Sequence, residues 1–370
     1  MHTPKTQFLG LGVSHYPPFS GNDADMANIL RGRLKDPDIP HHVKDPAVWP
    51  AFMREEWGTD QGVAAAARHR QAMLAGLHRV RTALDDFKPD LVIIWGDDQY
   101  ENFKEDLIPA FAVHAYEDMH VSPWKHAAES AMVNSGSKDS WGGGKPNVWS
   151  EPAATTFVVR GHREAAKHVA SELLQAEFDI AYAYKPLHHP GLAHSFLNAI
   201  LYLDYERQGF PYPVVPISIN CYGRQIVSHR GFISRWADRN RPLDPPSPSP
   251  KRCFDFGAAI ARGLRKSPWR VAMLASSSWS HAFLVDKTYR MQPDVLADRA
   301  LYKAMVTGDY SFWRNYTLSQ IEDSAQQEVL NWFALMGAMN ELGMRVTWSD
   351  FVETYIFNSS KVAAIFGTAC

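Results

Sequence analysis

Cysteine, net charge and long apolar runs are all scarce in this chain. Its three cysteines (Cys221, Cys253 and Cys370) are an odd number without CxxC spacing, which argues against a disulfide framework and a cysteine-rich zinc site. With 38 basic and 40 acidic residues, the formal net charge of −2 carries no signature of nucleic-acid or anionic-membrane binding. No run approaches the roughly 18 apolar residues of a membrane span, and the N-terminus lacks the apolar stretch of a signal peptide. We therefore expect a cytoplasmic protein that binds neither nucleic acid nor membranes.

Histidine and tryptophan, by contrast, are well represented, with 16 and 12 copies. Histidine is the side chain best suited to metal ligation and to proton transfer near neutral pH. The length of 370 residues allows one large α/β domain or two smaller ones, and a sizeable core in either case.

Helical stretches that alternate with apolar runs predict an α/β fold. Residues 62–87 have apolar side chains at helical spacing and end before Lys88-Pro89, and the apolar run 91–95 follows as a buried strand. A helix followed by a buried strand is half of a βαβ unit, which favours a sheet covered on both faces. Further strands are predicted at 8–13, 109–115, 179–184, 213–219 and 270–275, and helices at 162–175, 195–207, 254–265 and 324–342.

We predict a single large domain, residues 1–370, with a central, mostly parallel or mixed β-sheet flanked by helices, and a mainly helical last hundred residues. Three segments interrupt the pattern, at about 19–60, 117–150 and 235–252. The second contains SGSKDSWGGGKPNVW, whose glycine and polar content is typical of a mobile loop or lid. The third contains LDPPSPSPKR, which we interpret as a surface excursion because helix and strand resume directly after it.

Four predicted strands end in polar, chemically capable residues. These are Ser14-His15, Asp97-Asp98-Gln99, the histidines at 188, 189 and 194, and the run Ser276 to His281. Ligands of open α/β sheets bind beyond the carboxyl ends of the strands, so these residues could converge on one site. Two neutral ligands and a carboxylate with open positions would be typical of a non-haem Fe(II) oxygenase. A serine hydrolase is the weaker interpretation, since the serines at 276–278 lack a GxSxG elbow.

Several motifs then resemble one family in order and approximate spacing. They are GVSHYPPF, WGDDQYENF followed by IPAF, GLAHSF followed by PVVPISIN, SSSWSH, and SAQQEVLNWFALMGAM, and they span roughly residues 8 to 340. The chain resembles the class III extradiol ring-cleavage dioxygenases, the superfamily of the catalytic subunit of protocatechuate 4,5-dioxygenase, and in particular a GDDQ-type branch of it.

The resemblance implies roles for individual residues. It makes His15 the first iron ligand and Glu328, four residues before Trp332, the carboxylate ligand. His281 resembles a histidine of the GGLSH pattern that orients oxygen or donates a proton. His194 resembles the acid/base histidine of the DHGF pattern, although Ala193 and Ser195 replace its aspartate and glycine. A different gap would give that role to His189.

The second histidine ligand has no direct counterpart in this chain. The family commonly has DH where this sequence has Asp98-Gln99. Gln99 therefore stands at the ligand position, and a glutamine oxygen is a weaker iron donor than imidazole. Either Gln99 or Asp98 completes the site, or His41 or His42 arrives from the unmatched segment 19–60.

The resemblance implies an Fe(II)-dependent enzyme that opens the ring of a catechol-type or substituted phenolic substrate with O2. It also implies a homo-oligomer, commonly a dimer. The extra segments, with several Trp and Arg residues, would suit a bulkier or carboxylated phenol. Two alternatives remain open: a metal-dependent enzyme of the same fold with hydrolytic chemistry, and a non-catalytic protein that binds aromatic compounds.

Overall fold

A computed structural model describes residues 7–125 and 146–368, except positions 225, 226, 228, 232, 234 and 241 and the side chains of 238 and 239. The lid expected at 117–150 and the excursion expected at 235–252 therefore lie partly outside the described residues. The segment 19–60, one of the three that interrupt the predicted pattern, contains short helical turns and three short α-helices.

Eight of the described strands form one mixed sheet in the order β6-β3-β7-β2-β8-β1-β10-β9. Strands β1, β8, β2 and β7 at its centre are parallel, whereas β3 runs antiparallel to β7 and β10 antiparallel to β1. A second, two-stranded sheet pairs β4 with β5. The strands are β1 Phe8–Val13, β2 Leu91–Asp97, β3 Phe111–His114, β4 Met119–Val121, β5 Phe157–Val159, β6 Ala181–Ala183, β7 Val214–Ile219, β8 Val271–Ser276, β9 Met344–Val352 and β10 Lys361–Thr368.

Helices cover both faces of the large sheet. Helices α4 (Val63–Phe87) and α6 (His194–Leu203) pack against one face. Helix α11 (Leu330–Leu342) packs against the other, where it also contacts α7 (Pro250–Leu264). The α-helices of the described residues are α1 Asn28–Lys35, α2 His41–Lys44, α3 Ala51–Trp57, α4 Val63–Phe87, α5 Arg163–Gln175, α6 His194–Leu203, α7 Pro250–Leu264, α8 Val295–Thr307, α9 Tyr310–Asn315, α10 Leu318–Asp323 and α11 Leu330–Leu342. None of them combines the length and apolarity that a bilayer-spanning segment needs.

The central strand β2 explains why both faces need a helical layer. All seven of its residues are buried. Ile93 and Trp95 belong to the core on the α11 side, whereas Val92 and Ile94 belong to the core on the α4 side. Side chains of a strand alternate between faces, so a continuous apolar run must be buried on both sides. The predicted α/β class with a mixed sheet flanked by helices is confirmed.

The expectation of a mainly helical last hundred residues is wrong for its final part, where β9 and β10 form a hairpin. Helix α11 ends at Gly343, whose φ of +67° places it in the left-handed region that glycine adopts readily. Strand β10 then pairs with β1 and continues the sheet.

The register of the parallel strands fixes the position of the polar residues. Val13 of β1 pairs with Ser276 of β8, and Trp95 of β2 pairs with Ala275 of β8. His15, Asp97 and Ser276 therefore emerge at the same edge of the sheet, as the strand-end argument predicts.

Candidate metal centre

A buried cluster of histidines and carboxylates lies at this edge. His15 and Asp97 are fully buried, and Glu328 is 2 % exposed. His15 Nε2 lies 3.4 Å from Glu328 Oε2. One ligand atom each of His15, Asp97 and His194 lies within 4.8 Å of the other two. Residues from both ends of the chain thus meet around one small volume.

The hydrogen bonds of His15 determine which ring nitrogen is available. Ser276 Oγ donates its only proton to the carbonyl of Ser195, 2.6 Å away, so it accepts from His15 Nδ1 at 3.0 Å. Nε2 of the neutral ring then carries the lone pair. This atom makes no hydrogen bond to the described residues; it lies 3.4 Å from Glu328 Oε2, and neither of these two atoms has a proton to donate. His15 therefore presents an unengaged nitrogen to the cluster.

Glu328 lies in a short 3-10 turn, Gln327–Val329, that leads into α11. Its Oε1 accepts from the Tyr222 hydroxyl and lies 3.1 Å from His281 Nε2. Its Oε2 accepts from the backbone N–H of Ser278 at 2.8 Å. Burial alone would raise the pKa of Glu328, but the nearby His281 and His15 and the two side-chain hydrogen bonds outweigh it and hold the pKa well below its usual range. Glu328 is therefore a fixed anion.

His194 begins α6 and is oriented by Glu101. The Glu101 carboxylate accepts from the His194 backbone N–H at 3.0 Å and from Nδ1 at 2.8 Å. Burial lowers the pKa of His194, yet the charge and hydrogen bond of Glu101 prevail and raise it to about 10. The same pair brings the pKa of Glu101 to about 2 against the opposing effect of its own burial. Nε2 of His194 is left to face the cluster.

Asp97, the last residue of β2, completes the cluster. Its Oδ1 lies 3.4 Å from Asn331 Nδ2, and its Oδ2 makes no hydrogen bond to the described residues. Burial, together with the negative charge of Glu328, raises the pKa of Asp97 well above its usual range. Burial also lowers the pKa of His15 to about 4, which keeps this ring neutral at physiological pH. Neutral imidazole and crowded carboxylates are the surroundings that a divalent cation requires.

Asp98 and Gln99 are engaged elsewhere. Asp98 accepts from the backbone N–H groups of residues 101 and 102, both at 2.8 Å, and of residue 103 at 3.3 Å. It thus holds the loop after β2. The amide nitrogen of Gln99 donates to the carbonyl of Gly231. Neither contact supports the expected ligand role, which stays a prediction.

The other predicted histidines are distributed differently. His281 is 5 % exposed and contacts Glu328, within the cluster. His189 is half-buried and accepts from the Gly191 N–H at 3.2 Å. His41 and His42 are exposed on α2, so the structure does not bring them into this buried cluster.

The sequence analysis assigned no catalytic or metal-binding role to three residues near the cluster. Glu101 orients His194, Tyr222 holds Glu328, and Asn331 contacts Asp97. Asp97 itself was noted at the strand end but was not assigned as a ligand. The available signal was its place as the last strand residue, directly before the loop that Asp98 holds.

Comparison with known proteins points to dioxygenases that act on hydroxylated aromatic compounds. The chain is 23% identical over 212 residues to 2,3-dihydroxyphenylpropionate/2,3-dihydroxicinnamic acid 1,2-dioxygenase of Photorhabdus laumondii. This alignment covers 57% of this chain and 49% of that protein. It is 27% identical over 201 residues to the enzyme of the same name from Paraburkholderia xenovorans, covering 54% and 46%. It is 23% identical over 193 residues to gallate dioxygenase of Pseudomonas putida, covering 49% and 47%.

The chain spans about half the length of these curated relatives. Their names support the resemblance to the dioxygenase superfamily and the prediction that this chain is an enzyme of that kind. They do not test the assignment to a GDDQ-type branch. No protein-family model matches the chain. A solved structure of an uncharacterized Escherichia coli K12 protein aligns at 12% identity with a TM-score of 0.43, covering 80% of this chain and 92% of that one, a likeness too low to carry an argument.

Proposed function

We propose that this chain is a non-haem, Fe(II)-dependent extradiol dioxygenase that opens the aromatic ring of a catechol-type substrate with O2. The observation that carries the proposal is the buried approach of His15 to Glu328, with Nε2 and Oε2 3.4 Å apart. The order of the sequence motifs and the names of the curated relatives also support it.

The residues of the cluster fit a divalent ion. His15 Nε2 and Asp97 Oδ2 are buried polar atoms without hydrogen bonds to the described residues, and such atoms are costly unless something pairs with them. His15 and Glu328 would hold the metal, together with a further donor from the cluster. Bound Fe(II) would supply open coordination positions for an aromatic diol and O2 and a path for electrons between them.

The protein itself would place the protons. Glu101 holds His194 by two hydrogen bonds, so Nε2 is the atom that would exchange a proton with the substrate hydroxyl. With its pKa at about 10, His194 holds that proton at neutral pH until a nearby cation favours the neutral ring. His281 is held through Nε2 by Glu328, and its buried Nδ1 has no hydrogen bond to the described residues. In the doubly protonated ring, Nδ1–H would be the group that hydrogen-bonds O2 and donates a proton to it.

We further propose a substituted, carboxylated phenol as the substrate and a homodimer as the assembly. The relatives are named for the turnover of such acids, and the segments at about 19–60, 117–150 and 235–252 lie outside the motifs that carry the resemblance. Turnover that needed no ring carboxylate and fell with added bulk would contradict the substrate proposal.

The test is oxygen consumption by protein loaded anaerobically with Fe(II) and offered catechol, 2,3-dihydroxyphenylpropionate or gallate. We expect one O2 consumed per substrate and both atoms of isotopically labelled O2 in the product. His15→Ala should abolish uptake, whereas His78→Ala, which changes an exposed histidine on α4, should not. Iron-loaded protein that takes up no O2 with any of them would refute the proposal, and metal-dependent hydrolysis without O2 uptake would favour the hydrolytic alternative.

A further inference from the structure

The position at which the resemblance implies a second histidine ligand is occupied by Gln99. Its amide nitrogen is bound to the carbonyl of Gly231, and the neighbouring Asp98 is bound to three backbone N–H groups. Both side chains therefore have structural partners. The residue directly before Asp98 is Asp97, which is the last residue of β2 and is also acidic.

Asp97 has the properties that its two neighbours lack. It is fully buried, and its Oδ2 has no hydrogen-bond partner among the described residues. A buried carboxylate oxygen without a donor is strongly unfavourable, so the site favours an occupant that supplies positive charge. His15, whose Nε2 is also without a hydrogen bond to the described residues, has a ligand atom within 4.8 Å of one on Asp97.

The surroundings of Asp97 also orient it. Asn331 Nδ2 lies 3.4 Å from Asp97 Oδ1 and 3.3 Å from the Ser276 carbonyl, so it links Asp97 to the strand that positions His15. Ser195 Oγ donates to the Asp97 carbonyl at 2.6 Å and ties β2 to the start of α6, where His194 lies. Metal-binding side chains are commonly held in this way by partners that do not touch the ion.

We propose that Asp97 is a ligand of the active-site metal, alongside His15 and Glu328, and replaces the histidine that Gln99 does not provide. The inference rests on the metal dependence of the proposed function. His194 keeps the role of proton carrier, because Glu101 holds its Nδ1 and leaves only Nε2 free to exchange a proton with the substrate. A carboxylate in place of neutral imidazole adds one negative charge and a hard oxygen donor, which Mn(II) accepts as readily as Fe(II) does.

The test measures metal binding directly, by anaerobic calorimetric titration of the full chain with Fe(II) and, separately, with Mn(II). We expect one ion per chain for the unmodified protein and binding weaker by at least about 100-fold for Asp97→Asn, which keeps the shape and the Oδ1 acceptor. The matched control is Gln99→Ala, which removes the ligand implied by the resemblance and should change affinity by less than about threefold.

A second measurement keeps the inference testable if Asp97→Asn does not fold. In crystals of the unmodified protein soaked with Mn(II), the anomalous peak should lie within about 2.2 Å of an Asp97 carboxylate oxygen. Unchanged affinity of a folded Asp97→Asn protein, or a peak remote from Asp97, would overturn the inference. An unmodified protein that binds no metal would overturn both the inference and the proposed function. Asp97-dependent binding without O2 uptake would refute only the proposed function.

Discussion

At the scale of single residues, one hydroxyl proton determines which ring nitrogen of His15 carries its proton. Ser276 gives its proton to the Ser195 carbonyl, so it can only accept from His15 Nδ1. The adjacent Ser277 is equally buried, but its hydroxyl makes no hydrogen bond to the described residues. Of these two buried serines, Ser276 is therefore the one whose hydroxyl holds His15.

Ser276→Ala should weaken metal binding by about 10- to 100-fold, because Nδ1 loses its acceptor and the ring is free to rotate or change tautomer. Anaerobic titration with Fe(II) measures the effect. Ser277→Ala is the matched control and should bind Fe(II) as the unmodified protein does. Equal affinities for the two variants would mean that the Ser276 hydrogen bond does not orient the ligand.

At the scale of elements, helices α7 and α11 pack with almost no space between their backbones. A Cβ added at Gly257 would lie 1.8 Å from the carbonyl oxygen of Ala334, and one added at Gly337 would lie 1.8 Å from that of Phe254. Since both obstacles are backbone atoms, no side-chain rotation can relieve them. This packing positions α11 and, through it, the turn that carries Glu328.

Gly257→Ala should lower the free energy of unfolding by about 3 kcal/mol, because the helices must separate to admit the methyl group. Gly32→Ala in α1 is the control, since a Cβ there meets no atom within 4 Å. It should be stabilising by about 0.5 to 1 kcal/mol through the helix preference of alanine. Urea unfolding of both variants checks the contrast, and a neutral Gly257→Ala would show that α7 can move away at little cost.

The elements also show what the sequence could and could not predict. Apolar periodicity located α4, α5 and the central strands, because burial on one or both faces dictates the pattern. The hairpin β9–β10 was missed because its outer strand, β9, is mostly half-buried and carries no continuous apolar run. Among the site residues, family spacing directed attention to Gln99, which lies beyond the end of β2 and donates to the Gly231 carbonyl. Asp97 is still on the strand, and the spacing of motifs does not show where the strand ends.

At the scale of the whole molecule, a buried acid outside the candidate centre makes the stability of the fold depend on pH. Asp298 is fully buried on α8 and accepts from the Ser280 N–H at 3.0 Å and from Gln326 Nε2 at 2.7 Å. Burial raises the pKa of Asp298 to about 7 despite these hydrogen bonds. Because the pKa in the folded state exceeds that of the unfolded chain, its contribution to stability is fully present below the unfolded value of 3.8 and is lost as pH rises through about 7.

In the Asp298→Asn variant, the new side chain is uncharged at every pH and keeps an oxygen acceptor for the Ser280 N–H. The stability of this variant should therefore vary less with pH between 3.8 and about 7. The pKa difference corresponds to a loss on the order of 4 kcal/mol in the unmodified protein between pH 3.8 and about 7. Urea unfolding across that pH range measures how the free energy of unfolding changes with pH in the variant and in the unmodified protein. Parallel curves for variant and unmodified protein would show that Asp298 does not cause the dependence.

Metal binding should also raise the stability of the whole chain. An ion that binds only the folded state adds about 2.7 kcal/mol at a free concentration about 100 times its dissociation constant. Thermal unfolding with and without Mn(II) should therefore show a higher Tm for the unmodified protein and no shift for His15→Ala. A similar shift in both proteins would indicate that the ion binds outside the candidate centre.

Strand β1 lies between β8 and β10, and His15 at its end meets Ser276 and Glu328. During translation this first strand leaves the ribosome long before either of its neighbours has been made. It cannot pair with β8 and β10 before residues 271–276 and 361–368 have been synthesised, and pairings between such distant segments form slowly. His15 and Glu328 therefore cannot hold an ion together before residue 328 has been synthesised.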